Sequence, residues 1–278
     1  MQPRHGFELA RALYRQGDNA GAAKVIEASL RASPDAVDLH ELYGDVLASD
    51  ERSKEAAAAY EQVVTLDPDR SRAWRRLGEL RLQSGETAGA IVALERAAVL
   101  QPHEPGVFIL IAEAGEAAGD SGVVLHALAR ALQNGEETPR VLQRAGILGA
   151  ERALLGGEPN FAVLSIEWLE RAVELDPQLG LAWQWLGRLR RHRLEPVAAI
   201  ASLRRAVELD PSDPLRLTEL AELYLAQHED EQAAELVERA LALEPDPELR
   251  TRLEGLVTDP PASGDPGMTG EKGSNESS

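Results

Sequence analysis

Residues 71–102 read SRAWRRLGELRLQSGETAGAIVALERAAVLQP, and this stretch decides the fold. Trp74, Leu77, Gly78 and Arg81 fall at i, i+3, i+4 and i+7, one face of an α-helix. Ala90, Leu94 and Ala97 share one face of a second helix, and Ser84-Gly85-Glu86 supplies the turn between them. Pro102 stops the second helix, because its ring disfavours helical geometry in the residue before it. The same stop recurs at a fixed interval. Pro34, Pro68 and Pro102 are 34 residues apart, and so are Pro177, Pro211 and Pro245. The gap from Pro102 to Pro177 is 75 residues, seven more than two periods. A constant period of this size signals one small unit stacked many times, a solenoid without a single compact core.

The pattern holds along most of the chain. The repeat ending at Pro68 has His40 in the Trp slot, then Tyr43-Gly44, Leu47, Ala56 and Tyr60. The one ending at Pro211 has Trp183, Leu186-Gly187, Arg190, Ala199, Leu203 and Ala206. The last full repeat has Leu217, Leu220-Ala221, Tyr224, Ala233, Val237 and Ala240, and the first has Gly6, Leu9-Ala10, Leu13, Ala22 and Ile26. Small residues such as Gly78, Gly187, Ala90 and Ala199 fall where two helix backbones must approach closely. These residues resemble the tetratricopeptide repeat, whose signature is W-x2-L-G-x2-Y…A-x3-F…P over 34 residues. The resemblance implies an all-α superhelical solenoid of antiparallel helix pairs, about seven repeats long and of a bacterial kind. The expected repeats are 3–36, 37–70, 71–104, 105–138, 139–179, 180–213 and 214–247, followed by a capping helix at 248–257 and a disordered tail at 258–278.

The middle is irregular. Phe108, Ile111-Ala112, Val124, Leu128 and Ala131 keep register in the fourth repeat, whose second helix is expected to end at Asn134-Gly135. Thr138-Pro139 then reads as a helix cap followed by Pro in the first turn. The fifth repeat continues to Leu155 and carries Trp168, Leu169 and Ala172 in its second helix. Gly156-Gly157-Glu158-Pro159-Asn160 is expected to form a turn about four residues too long, as a tolerated insertion or as a hinge or contact loop.

Composition limits the function classes. Of 278 residues, 44% are hydrophobic but only 4% aromatic, so the core is built from Ala, Leu, Val and Ile. The formal net charge of −18 disfavours nucleic acid and anionic membrane surfaces as partners. Cysteine is absent, which removes disulfides, thiolate nucleophiles and cysteine zinc sites. No apolar run reaches the roughly 18 residues of a membrane span, and Met1 to Phe7 has no signal-like apolar segment. The expectation is a soluble cytoplasmic protein with no membrane insertion, although the repeats begin almost at Met1 and leave an upstream start open.

No constellation for catalysis stands out. The six histidines (His5, His40, His103, His126, His192, His228) form no i, i+4 pair and no HExxH motif. There is no phosphate loop, no complete calcium loop and no G-x-S-x-G elbow. Asp67 to Asp69 and Asp210 to Asp213 read as solvated turns and caps. The expectation is therefore no catalytic residue, cofactor or metal, and not an enzyme.

What remains is a surface. In the family resembled, the first helices of the repeats line a concave groove that takes an extended peptide or a helix. Carried onto this chain, its slots hold Arg4, Arg11, Tyr14 and Arg15 in the first repeat, and Asp38, Glu41 and Asp45 in the second. The third offers Arg72, Arg75, Arg76 and Glu79, and the next two are apolar, with Ile109, Leu110, Ile147 and Leu154. The sixth offers Leu181, Gln184, Trp185, Arg188, Arg191 and His192, and the seventh is acidic with Glu219 and Glu222. Trp185 is outside the repeat signature; it either faces the groove beside Arg188 and His192, as a binding hot spot would, or packs against the neighbouring repeat. Arg75, Arg76, Arg188 and Arg191 are expected to orient carboxylates of a partner. The Lys and Asn slots of the family's chaperone-adaptor clamp here hold Phe7, Arg11, Glu41, Asp45, Arg75 and Glu79, so that role is not implied. The leading expectation is a protein- or peptide-binding scaffold. Alternatives are a self-assembling solenoid and an accessory subunit of an enzyme, secretion or glycan-assembly machine.

Overall fold

The computed structural model describes residues 3–156 and 158–258. Among these residues every regular element is an α-helix. Contacts divide the chain into two compact parts, 1–151 and 152–278. In the N-terminal part the helices are α1 (Pro3–Arg15), α2 (Asn19–Ala32), α3 (Val37–Ser49), α4 (Ser53–Leu66), α5 (Ser71–Gln83), α6 (Thr87–Leu100), α7 (Val107–Ala118), α8 (Ser121–Gln133) and most of α9 (Pro139–Leu155). In the C-terminal part they are α10 (Asn160–Leu175), α11 (Gly180–His192), α12 (Pro196–Leu209), α13 (Pro214–Ala226), α14 (Asp230–Ala242) and α15 (Pro247–Thr258). From α1 to α8 and from α10 to α15 each helix packs on the next in sequence. Alternate helices also touch, α1 on α3, α5 on α7 and α13 on α15. This is the all-α solenoid of helix pairs that the 34-residue period predicts.

The cores form where the sequence puts small residues against large ones. A Cβ on Gly78 would lie 2.5 Å from Leu94 Cγ, and one on Gly44 would lie 2.6 Å from the Tyr60 ring. Leu94 and Tyr60 are fully buried, so the missing side chain is what lets the paired helices close. The Trp slot has a polar task as well. Trp74 Nε1 donates to the Pro68 carbonyl at 2.8 Å, and Trp183 Nε1 to the Pro177 carbonyl at 3.1 Å. His40 keeps the same bond, 2.7 Å from its Nε2 to the Pro34 carbonyl, which explains why an imidazole holds that slot.

The turn inside each pair has its own requirement. Gly17, Gly85 and Gly119 sit there with φ of 82°, 81° and 71°. Glu51, Leu194 and His228 occupy the same slot with φ of 59°, 60° and 60°, where a Cβ is strained. Leu194 is 87% exposed and loses little contact if trimmed. Leu194→Gly is expected to stabilise the protein by about 0.5–1 kcal/mol, net of glycine's extra unfolded-state entropy. Chemical denaturation checks this, and a lower midpoint would show that the leucine is not strained.

The irregular middle departs from expectation. The turn between α9 and α10 is not about four residues too long. The surplus is helical instead: α9 and α10 have 17 and 16 residues, against 13 and 14 in α5 and α6. Glu151-Arg-Ala-Leu-Leu contains no breaker, so helical bonding continues until Gly156, whose N–H still reaches the Arg152 carbonyl at 3.0 Å. The Thr138 cap is present, with its hydroxyl accepting from Val141 N at 3.2 Å. At the C-terminal end, α15 covers the last apolar face through Leu253, which is fully buried, with Leu249 and Leu256 beside it. Glu248, Arg250, Arg252 and Glu254 are exposed, as a cap requires. The tail expected at 258–278 lies outside the described residues, except that Thr258 still belongs to α15.

Candidate functional site

The first helices of the N-terminal part carry Arg72, Arg75 and Arg76 on α5, Ile109 and Leu110 on α7, and Ile147 on α9. The arginines are not left for a partner. Arg72 binds Glu41 at 2.7 Å and Asp45 at 2.7 Å, both on α3. Arg70, just before α5, reaches Asp38 at 2.9 Å and Glu41 at 3.1 Å. Arg75 binds Glu79 at 2.9 Å and Glu104 at 2.6 Å, and Arg76 binds Glu79 at 2.8 Å. Burial pulls the Arg72 pKa down, but the Asp45 hydrogen bond and the charges of Asp45 and Glu41 outweigh it, so the pKa is raised. The Glu104 hydrogen bond holds Arg75 up as well. Tyr60 closes this network from α4, donating to Asp45 at 2.6 Å; burial and that bond raise its phenol, which stays a donor.

One of these pairs sets an offset that recurs. Glu41 and Arg72 are 31 residues apart, one period less one helical turn, because the carboxylate of one first helix faces a slot one turn earlier on the next. The C-terminal part repeats the offset with the signs exchanged. Arg188 on α11 binds Glu219 on α13 at 2.6 Å, and Arg191 binds Glu222 at 2.8 Å. Arg252 on α15 reaches the same Glu222 at 2.6 Å. Glu219 is buried and also accepts from Gln184 at 3.0 Å. Gln184 is only 3% exposed, so it is an interior residue and not part of the lining expected for it. Trp185 is half-buried, with the Arg188 guanidinium 4.5 Å above its ring. The structure thus brings Trp185 and Arg188 together, but commits Arg188 to Glu219. Leu181 is 50% exposed and His192 is exposed, whereas Leu154, Ile109, Leu110 and Ile147 are half-buried.

One cleft keeps unspent charge. Phe7, Arg11, Tyr14 and Arg15 of α1 face Asp38, Glu41, Leu42 and Asp45 of α3 and Arg72 of α5 around a volume of about 280 Å³. The α3 carboxylates are taken by Arg70 and Arg72. Arg11 stacks 5.4 Å from the Phe7 ring and, among the described residues, pairs only with Glu8 of its own helix. Arg4 and Arg15 have no ion-pair partner among the described residues. Phe7 and Leu42 are the residues that slot reasoning undervalued as lining. The signal was present, since Phe7, Arg11 and Tyr14 fall at i, i+4 and i+7. Among the described residues no cluster of three or more His, Asp or Glu could hold a metal ion, and no helix is long and apolar enough to cross a membrane.

Comparison with known families matches this geometry. Two family models, both described as Tetratricopeptide repeat, match residues 7–71, 49–105 and 165–214 in one case and 195–253 in the other. Comparison with curated proteins finds no match. Among solved structures, a MamA protein is 18% identical over 63% of this chain and 92% of its own, with a TM-score of 0.53. A chain of a Naa15/Naa10 complex bound to HypK-THB is 17% identical over 92% of this chain, with a TM-score of 0.63; the match spans 39% of that longer chain. At these identities the likeness is one of fold.

Proposed function

This chain belongs to the tetratricopeptide-repeat family, and on that premise we propose that it is a non-catalytic scaffold holding a peptide of a partner protein on the first-helix face of its N-terminal part. The fold itself is that of a protein–protein interaction scaffold. The observation that carries the finer reading is the cleft of α1, α3 and α5, where Arg15 lacks a carboxylate beside the apolar Phe7 and Leu42. A short peptide with an apolar anchor and an acidic residue supplies what that cleft lacks. Ile109 and Leu110 continue the first-helix row and offer further apolar positions. Arg72, Arg75 and Arg76 act there as a braced wall, since each already has its carboxylate. Trp185, Leu181 and the exposed Arg191 and His192 form the corresponding, separate surface of the C-terminal part.

The test is selection of displayed peptides against the full chain, followed by affinity measurement on Phe7→Ala/Arg15→Glu and on Trp185→Ala. Losing an anchor and reversing a charge is expected to weaken selected peptides by about thirtyfold or more, the effect of one hot spot. Arg15 is exposed, so the melt of Arg15→Glu alone should hold, whereas Phe7 packs on the core and its loss is read against the melt of the double variant. Peptides that bind wild type and Phe7→Ala/Arg15→Glu equally would remove the cleft, and sensitivity to Trp185→Ala alone would move the site to the C-terminal part.

A further inference from the structure

The second-helix face of the N-terminal part carries another groove, and its origin lies in one residue. Phe108 stands in the slot held by Trp74 and Trp183. Both of those indoles reach back to the carbonyl of the proline six residues earlier. Phenylalanine is smaller and has no N–H. The Pro102 carbonyl is served from the next repeat instead, by Asn134 Nδ2 at 2.8 Å. Pro102 and Phe108, the two slots an indole bridges elsewhere, both line an open groove of about 300 Å³ between α6 and α8. Phe108 and Ile111 form its floor, 5% and 4% exposed, and Val99 and Ala127 stand on its walls. Val99 is 68% exposed, and Val92, two turns earlier on α6, is 61% exposed, so the apolar surface continues out of the groove. The volume lies at the lower end of the roughly 300–1,000 Å³ typical of ligand sites, enough for one aromatic side chain.

Two charges frame the opening. Glu95 on α6 and Arg130 on α8 have no ion-pair partner among the described residues. Arg130 lies over the Phe108 ring at 5.0 Å. An aromatic side chain entering the groove would meet that same guanidinium, a favourable cation–π geometry. Flanking residues of opposite charge would complete the match, a cation toward Glu95 and a carboxylate toward Arg130.

We infer that this groove docks a tryptophan of a partner protein, carried on a short segment with a basic residue on one side and an acidic residue on the other. The occupant replaces, from outside, the indole that this repeat lacks. Its walls are the second helices α6 and α8 and its floor is α7, and it shares no lining residue with the cleft of α1, α3 and α5.

The probe is a synthetic peptide with Trp between Lys and Glu, titrated into the full chain while methyl NMR shifts are followed. Saturable shifts are expected at Val99, Ile111 and Ala127. Replacing the peptide Trp with Ala should weaken binding by at least about tenfold, the worth of burying an aromatic anchor. Phe108→Trp fills the groove with the residue found in two other repeats and should abolish these shifts without lowering the melt. Val99→Glu changes a solvent-exposed position and should also abolish them, which decides the matter if Phe108→Trp fails to fold. Methyl shifts confined to Leu42 would assign the peptide to the first-helix cleft and overturn the inference. No saturation at millimolar peptide, or binding that survives Val99→Glu, would overturn it as well.

Discussion

Gly187→Leu lowers the melting temperature by about 3–10 °C, on an overpacking cost of about 1–3 kcal/mol spread over a chain of this size. A Cβ at Gly187 would lie 2.5 Å from Leu203 Cγ, 3.0 Å from Leu203 Cδ2 and 3.4 Å from the Ala199 carbonyl oxygen. Leu203 cannot swing clear, because it is 1% exposed and Ala199 beside it is fully buried. The conflict must be relieved by separating α11 from α12, which opens space along the whole pair. Gly255→Leu is the control, since a Cβ there meets nothing within 4 Å among the described residues. Adding Leu203→Ala to Gly187→Leu should return part of the loss, as two neighbours sharing one space are not additive. Equal melts for Gly187→Leu and Gly255→Leu would place Gly187 away from the crossing.

Arg188→Ala costs about 2–4 kcal/mol, whereas Arg191→Ala costs about 1 kcal/mol or less. Both arginines pair with a carboxylate on α13, and burial separates the two cases. The Glu219 side chain is 9% exposed and that of Arg188 25%, while Arg191 is 48% exposed. Removing Arg188 leaves Glu219 with only the Gln184 amide, and a buried carboxylate stripped of its cation is penalised heavily. Glu222 keeps Arg252 when Arg191 is lost. Arg188→Ala/Glu219→Ala should recover much of the stability, because no lone charge remains inside. Urea midpoints for the three variants check the ordering, and equal losses for the two single arginine variants would refute it. For the same reason Arg188 is a poor residue with which to probe binding, and Trp185→Ala is the cleaner test.

Much of the fold was legible because its signals are local. Trp74, Leu77 and Gly78 name a helix face within two turns of sequence, and Pro102 ends the pair without reference to anything distant. His40 was readable as a Trp substitute from its slot, and the structure supplies the shared proline carbonyl as the reason. The length of α9 was not legible. The surplus residues were assigned to a glycine-rich turn, whereas the preceding run has no breaker and prolongs the helix. Gln184 was misplaced because a slot states a direction along a helix, and the neighbouring helix decides whether that direction is covered. The groove arginines show the same limit. Arg72, Arg188 and Arg191 were identified by position, but a partner of each lies 31 residues away on a neighbouring first helix. A search for opposite charges at one period less one turn would have found them.

The sequence by itself therefore determined the all-α stack, the places where its helices cross and the apolar content of its core, since all three follow from periodicity over one to a few helical turns. Only the tertiary structure decided which charges are already spent. Long arginine side chains choose among several carboxylates within reach, and that choice depends on the rotation of neighbouring helices. It closes the site around Arg188 and leaves Arg15 open. It also turns Phe108, an ordinary conservative residue in the sequence, into the floor of a groove, because a vacancy is defined by what the surrounding helices fail to fill.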